Sequence, residues 1–419
     1  MTALESYFDK ETVINQAKRV QRKKSHGIDG VSAKDAMKIA EADYSSINHE
    51  ICNGTYKPSP ILKISIPKDN GKTRIIGSAT TRDRIVQGCI NHYLVEKLDK
   101  DMSEDCFGFR QERNCQLAVM RVVEIIEAGY EWIISIDLKD CFTHLDKYLI
   151  LWLLQDADID KNIIRSISNV INNKYISQEG VDDVVGCPQG SNISPTLCNL
   201  VLNQLDQLLI ERNHPFVRYA DDIYVFCRSR ETAKRTLLAV TKYLENKLKL
   251  EVNRDKTEII CSKSCTWGCL GFMIKQDADI HVLVNPRKEE KLRNSIKARL
   301  MNSSPDMIIT DINSLICGFV SCNQISELGS CCKRMDAFIK RGLNRYERVY
   351  KVKLDRTRLK SCHDCYREVL QQRKAKENEP ATVGDGKRNN ETDNPCTLIE
   401  DTAVSFLVRA PPCNGSISK

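Results

Sequence analysis

No stretch of about 18 apolar residues in this 419-residue chain is free of charge, a pattern that excludes a membrane-spanning helix. The opening segment MTALESYFDKETVINQAKRV has neither the basic n-region nor the apolar h-region of a secretory signal. The expected location is the cytoplasm, with no membrane partner. No internal repeat is present, and no strong excess of one charge sign, since the formal net charge is only +7. A disulfide framework is also missing: the 19 cysteines lie scattered through apolar segments, where reduced thiols acting as small core residues are expected.

The length suits two or three globular units. Charge is unevenly placed: Arg287 to Lys360 holds 17 Lys/Arg against 8 Asp/Glu, so the remainder is slightly acidic. Such a basic segment fits either a solvated helical face or a footprint for a polyanion. Residues 1–56 carry helical patterning interrupted by a turn at Gly27–Gly30. Lys57–Gly77 reads as two Ile-rich strands around Asp69-Asn70-Gly71, a basic β-hairpin. Helices are expected near 81–99, 114–128, 145–173 and 231–248, and a short apolar strand at Trp132–Phe142. Val184–Leu209 moves from a Gly/Pro loop into a long apolar helix. Up to about Cys269 the order of elements fits an α+β sheet domain. The pattern from Asn285 to about Tyr350 is helical, and the polar stretch beyond Gln371 reads as a flexible tail.

FVRYADDIYVF, Phe216–Phe226, sets two adjacent aspartates inside a run that otherwise has strand composition. Neighbouring carboxylates repel and need a compensating cation or hydrogen bonds. Asp137 stands in the same predicament at the end of its own apolar strand. Three such groups at strand ends of one sheet can converge on a hard divalent cation, with Mg²⁺ favoured by oxygen ligands. The competing reading of Asp221-Asp222 is an ordinary exposed hairpin turn.

Further motifs carry a resemblance. Tyr219-Ala220-Asp221-Asp222 is similar to the YxDD box of reverse transcriptases, and Asp137 with Phe142 looks like their first metal-binding strand. SIPKDNGKTRIIG, RDRIVQ, Phe107–Arg110, Pro188–Pro195, Asp255-Lys256-Thr257 and Cys269–Phe272 resemble, in family order, motifs of the bacterial group II intron-like class. The resemblance covers roughly residues 25–275. It implies a right-hand polymerase of α+β class: an N-terminal extension and fingers (1–130), a palm with an antiparallel sheet and packed helices (131–284), a helical basic thumb (285–370) and a flexible tail (371–419).

It also implies roles. Asp137, Asp221 and Asp222 would hold two Mg²⁺ ions, with the Leu138 carbonyl as a further ligand and Asp222 in the smaller part. Lys72 and Arg74 would grip the incoming triphosphate; otherwise they are a charged surface hairpin. Phe142 has the place of the steric gate that selects deoxynucleotides, against a plain core role. Gln189 and Gly190 would lie by the incoming nucleotide, the glycine permitting close approach. Lys256 resembles the lysine proposed to protonate pyrophosphate, and Leu270-Gly271 looks like the primer grip. Partners would be an RNA template, a DNA or RNA primer and dNTPs.

The sequence departs from the family pattern in several places. Gln111-Glu112 and Ser78-Ala79 replace a Pro-Gly and an Ile-Pro pair, Asp140 stands where glycine is common, and Ile316–Ser326 lacks the usual Trp and Tyr. Cys362 and Cys365 form a single C-x-x-C, a weak zinc signal. These departures favour a stand-alone enzyme of antiphage defence, copying a structured non-coding RNA encoded nearby, over an intron-encoded maturase. A non-polymerising RNA-binding protein and protein-primed or template-independent synthesis stand as further alternatives.

Overall fold

The structure, a computed structural model, describes residues 3–23, 25–67 and 73–377. It divides into two compact units between Ser264 and Cys265. The first unit opens with helices α1 (Ala3–Tyr7), α2 (Lys10–Gln21) and α3 (Ala36–Cys52). The Asp9 carboxylate starts α2 by accepting the Thr12 N–H at 2.8 Å. Strands β1 (Ile61–Pro67) and β2 (Thr73–Ser78) pair antiparallel, with Ile64 opposite Ile76. The expected turn at Asp69-Asn70-Gly71 lies outside the described residues, as does Lys72.

Next come α4 (Thr81–Leu98), buried on almost every face, and the amphipathic α5 (Cys115–Glu127). Strand β3 (Trp132–Ile136) leads into α6 (Cys141–His144), α7 (Lys147–Asp156) and α8 (Lys161–Ile171). A hairpin that periodicity did not reveal follows, β4 (Lys174–Ser177) and β5 (Gly180–Asp183). Its strands are short and β5 is wholly exposed, so no alternation marks them. β4 nonetheless pairs parallel with β1, extending the β1–β2 hairpin into a four-stranded sheet of order β2-β1-β4-β5.

After α9 (Ser194–Glu211) the strands β6 (Phe216–Tyr219) and β7 (Asp222–Cys227), the helix α10 (Arg230–Asn246) and β8 (Glu258–Cys261) complete the unit. The second sheet has the order β6-β7-β3-β8, all antiparallel. α10 packs on β3, β7 and β8, and α5 on β6. Ile134, Phe216, Val225 and Leu244 are buried in the resulting core, giving the α+β architecture of antiparallel sheet and packed helices.

The second unit pairs a sheet of β9 (Trp267–Cys269), β10 (Phe272–Gln276) and β11 (Ile280–Val284) with helices α11 (Pro286–Asn302), α12 (Ile308–Cys322), α13 (Gly329–Tyr350) and α14 (Cys362–Glu377). β9 to β11, read with the palm from sequence, thus group with the basic helices. Their core includes Ile296, Ile312, Ile316, Met335 and Leu343. α14 runs past Gln371, where the tail was expected to begin; residues 378–419 lie outside the described residues. The two cysteines of the C-x-x-C face different partners. Cys365 Sγ lies 3.8 Å from Cys317 Sγ, and Cys362 bonds to Cys332, which with burial pushes its thiol well up. Among the described residues no three His, Cys, Asp or Glu side chains are gathered as a ready-made metal cage.

One charge pair crosses the core of the first unit. Arg218 on β6 is fully buried, and its guanidinium donates to both Asp206 carboxylate oxygens of α9 at 2.5–3.0 Å. Burial lifts Asp206 above the usual carboxylate range in spite of Arg218, whereas for Arg218 the neighbouring Asp206 outweighs the loss of solvent. Asp206→Ala would strand the cation in the core. The expected loss is about 3–5 kcal/mol, read from the urea midpoint, with Asp206→Leu/Arg218→Met recovering much of it.

Candidate active site

The candidate site is built on the β6–β7 turn. Tyr219 and Asp222 are the last paired residues, so Ala220 and Asp221 form a two-residue hairpin loop. Both readings of the aspartate pair meet here, since Asp221 is in the turn and Asp222 begins β7. Ala220 has φ +57°, a left-handed conformation that costs a non-glycine residue about 1 kcal/mol or more. Neighbours hold it there. Arg218 Nη1 donates to the Ala220 carbonyl at 3.2 Å and to Asn199 Oδ1 at 2.7 Å. On the other side lies the Phe107–Arg110 motif: Phe107 N–H donates to Arg218 O at 2.8 Å, and Asn199 Nδ2 to Gly108 O at 2.7 Å. A Cβ at Gly108 would come within 2.1 Å of the Ala220 nitrogen, so only glycine lets this loop brace the turn.

Asp137 reaches the same end of the sheet. Ile136 pairs with Ile223, so the next residue along β3 stands beside Asp222 on β7. The Asp137 carboxylate accepts from Asn253 Nδ2 at 2.7 Å and is paired with Lys256 Nζ at 3.3 Å. Its backbone N–H donates to Thr257 Oγ1 at 3.2 Å. Sequence reasoning found Lys256, noted Thr257 only as part of a motif and missed Asn253; its signal was the polar turn that returns the chain to β8. Asp222 reaches solvent on one side, yet its carboxyl is pushed up to about 6, first by desolvation, then by Asp221 and Asp137, with Lys256 opposing. The cluster therefore carries more negative charge than its protein partners neutralise. An all-oxygen donor set with surplus charge fits a hard divalent cation. Leu138 is buried beside it, its backbone bridged to Val252.

The nucleotide-side candidates group together in part. Arg74 Nε donates to Gln189 Oε1 at 3.2 Å, and Gly77 N–H donates to Gln189 O at 2.6 Å. Gly190 has φ +101°, and a Cβ there would meet Gly77 O at 2.3 Å. The glycine thus permits contact between its loop and β2, a reason internal to the protein. Phe142 is half-buried on α6, its ring edge-on to Phe109 at 6.5 Å, and its carbonyl accepts the Cys187 N–H at 2.8 Å. Just before α6, Asp140 has φ +41°, which accounts for a position where glycine is common. Leu270 and Gly271 form the β9–β10 turn of the second unit, with φ +47° and +78°.

The surplus charge has a measurable cost. In chelator, Asp222→Asn is expected to raise stability by about 1 kcal/mol, discounted for its solvent contact. A raised carboxyl value means that the native state holds the proton longer than the unfolded chain. The destabilisation therefore grows between about pH 4 and 6 and is complete above, so the gain should be full at pH 8 and vanish near pH 4 in urea titrations.

Comparison with known proteins agrees with this arrangement. Residues 66–276 match the family described as Reverse transcriptase (RNA-dependent DNA polymerase). The chain is 28% identical to a Saccharomyces cerevisiae protein named for intron 1 of COX1/OXI3, over 55% of this chain and 34% of that one. It is 27% identical to Protein YkfC of Escherichia coli, over 56% of this chain and 71% of that one. With the group II intron-encoded protein LtrA of Lactococcus lactis the identity is 23%, over 67% of this chain and 56% of that one. The chain thus spans about a third of the yeast protein and just over half of LtrA. With half of its length matched, and with the carboxylates of β3 and β7 brought to one end of the sheet, the chain belongs to the reverse transcriptase family.

Proposed function

We propose that the protein is an RNA-directed DNA polymerase that copies an RNA template from a DNA or RNA primer by nucleotidyl transfer. The observation that carries this reading is the convergence of Asp137, Asp221 and Asp222 with charge left uncompensated. These carboxylates, with the Leu138 carbonyl, would hold two Mg²⁺ ions. When bound, the ions supply charge neutralisation and activation of the attacking hydroxyl. Arg74, and Lys72 outside the described residues, bind the triphosphate. Gln189, fixed by Arg74 and Gly77, orients the base pair, and Phe142 denies space to a 2′-hydroxyl. As the primer 3′-hydroxyl gives up its proton to solvent and its oxygen joins the α-phosphorus, the bond to the bridging oxygen breaks, and Lys256 Nζ gives a proton to the departing pyrophosphate.

For the biological role we infer antiphage defence in the cytoplasm, with a structured non-coding RNA as template. The support is the set of departures from the intron-type motifs at Ser78-Ala79, Gln111-Glu112 and Ile316–Ser326. A second reading, intron splicing and mobility, is favoured by the likeness to LtrA. No helix among the described residues is long and apolar enough to cross a membrane.

The test is dNTP incorporation on an RNA template with an annealed primer. Wild type should extend the primer, and Asp221→Ala/Asp222→Ala should lose more than about a hundredfold of the rate while still binding RNA. Equal extension by both would remove the proposal. Sequencing the RNA and cDNA that copurify from cells carrying the native locus, with and without phage, separates the roles. A neighbouring short RNA copied into cDNA supports defence, and a spliced intron with its exons supports the second reading.

A further inference from the structure

A cavity of about 250 Å³ lies between α2 and α4 in the first unit. Its walls include Gln16, Arg19, Lys23, Arg84, Asn91 and His92, and among the described residues no Asp or Glu lines it. Arg84 is 6% exposed, yet among the described residues no carboxylate pairs with it. Its guanidinium donates to two neutral oxygens, Ser25 O at 2.9 Å and Ser78 Oγ at 2.6 Å. Burial lowers its value, and Asp29 offsets this only in part. A buried cation with neutral partners needs an anion to complete it.

Basic residues at the end of α2 have an ordinary explanation, since cations favour a helix C-terminus. That accounts for Lys18 and Arg19, but not for a buried guanidinium contributed by another helix. The walls are also fixed in place. Asn192 Nδ2 donates to Arg84 O at 2.9 Å, and Thr196 Oγ1 to Asn91 Oδ1 at 2.6 Å. Both anchoring residues belong to the segment that begins with Gln189. Ser78, bonded to Arg84, directly follows Gly77, whose N–H holds Gln189. The cavity is thus tied to the candidate nucleotide subsite by two short connections. The run Lys18–Lys23, with four Lys/Arg in six residues, supplies a charged approach.

We infer that this cavity is a phosphate-binding site, with Arg84 as its floor and Arg19 and Lys23 as its rim, and that it takes a backbone phosphate of single-stranded RNA. The choice of RNA rests on the polymerase reading; the phosphate chemistry does not. The test uses Arg19→Ala/Lys23→Ala, two exposed positions that spare the fold, against the charge-matched Lys234→Ala/Lys242→Ala. Binding of a fluorescent 12-nucleotide RNA is followed from 50 to 200 mM KCl. The rim variant should bind about five- to tenfold more weakly near 0.1 M salt, and its log–log salt slope should be shallower by about 1.4, two contacts at about 0.7 each. The charge control should change less.

A second arm measures the melting temperature in inorganic phosphate against chloride at equal ionic strength. A phosphate-specific rise that the rim variant loses, with RNA binding unchanged, would keep the phosphate site but assign it to a free phosphoryl ligand. No change in either arm, relative to the charge control, overturns the inference. Primer extension by the same wild-type preparation separates the two claims. Extension without a rim effect removes the cavity inference alone, and a rim effect without extension removes the polymerase reading alone.

Discussion

The buried guanidinium of Arg218 is the interaction on which the candidate site depends. It joins α9 through Asp206 and Asn199 and the aspartate turn through the Ala220 carbonyl, while the backbone of the same residue is bridged to Cys106 and bonded to Phe107 at the start of the Phe107–Arg110 loop. A turn holding an alanine in a left-handed conformation beside a repelling carboxylate would relax if left to itself. Here three separate chain segments meet at one residue, two held by the Arg218 side chain and the third by its backbone and by Asn199. A buried ion pair is a weak source of net stability, because desolvation consumes much of the attraction. Its use at this place is geometric: five donors in a rigid plane fix the turn in one orientation.

A second constraint works against the first. Asp137, Asp221 and Asp222 stand within electrostatic reach of one another at the end of β3 and β7, and among the described residues Asp137 is answered by one exposed lysine and one amide. Complete internal neutralisation would be more stable, but it would leave no demand for a cation. The Lys256 ammonium, on a flexible stem, pairs with Asp137 at 3.3 Å.

Much of the first unit was legible because its strands and helices follow local pattern. The run Phe216–Phe226 has strand composition on both sides of its acids, and Trp132–Ile136 has it up to Asp137, so Asp137 and Asp222 could be placed at strand ends from the sequence alone. The Arg218–Asp206 pair was not legible, because a charged residue inside a strand gives no sign of a partner on a preceding helix. The parallel pairing of β4 with β1 escaped for a similar reason: it joins residues more than a hundred positions apart and leaves no periodic trace. Gly108 was noticed only as part of a motif, and Gly190 as permitting close approach to a nucleotide. Their physical reason, a close approach to Ala220 and to Gly77, exists only in the folded chain. The grouping of β9 to β11 with the basic helices is likewise a tertiary fact, since these strands continue the composition of the preceding sheet.

The account stands or falls on whether the carboxylate cluster binds divalent metal as a working unit. The most direct measurement is electron paramagnetic resonance of Mn²⁺ added to the protein with an RNA template, a chain-terminated primer and the next dNTP. The account predicts two bound ions whose spins couple at a separation of about 4 Å, with the coupled signal lost in Asp137→Asn and in Asp221→Asn. Mn²⁺ binding that is absent, or that survives these substitutions unchanged, would contradict it.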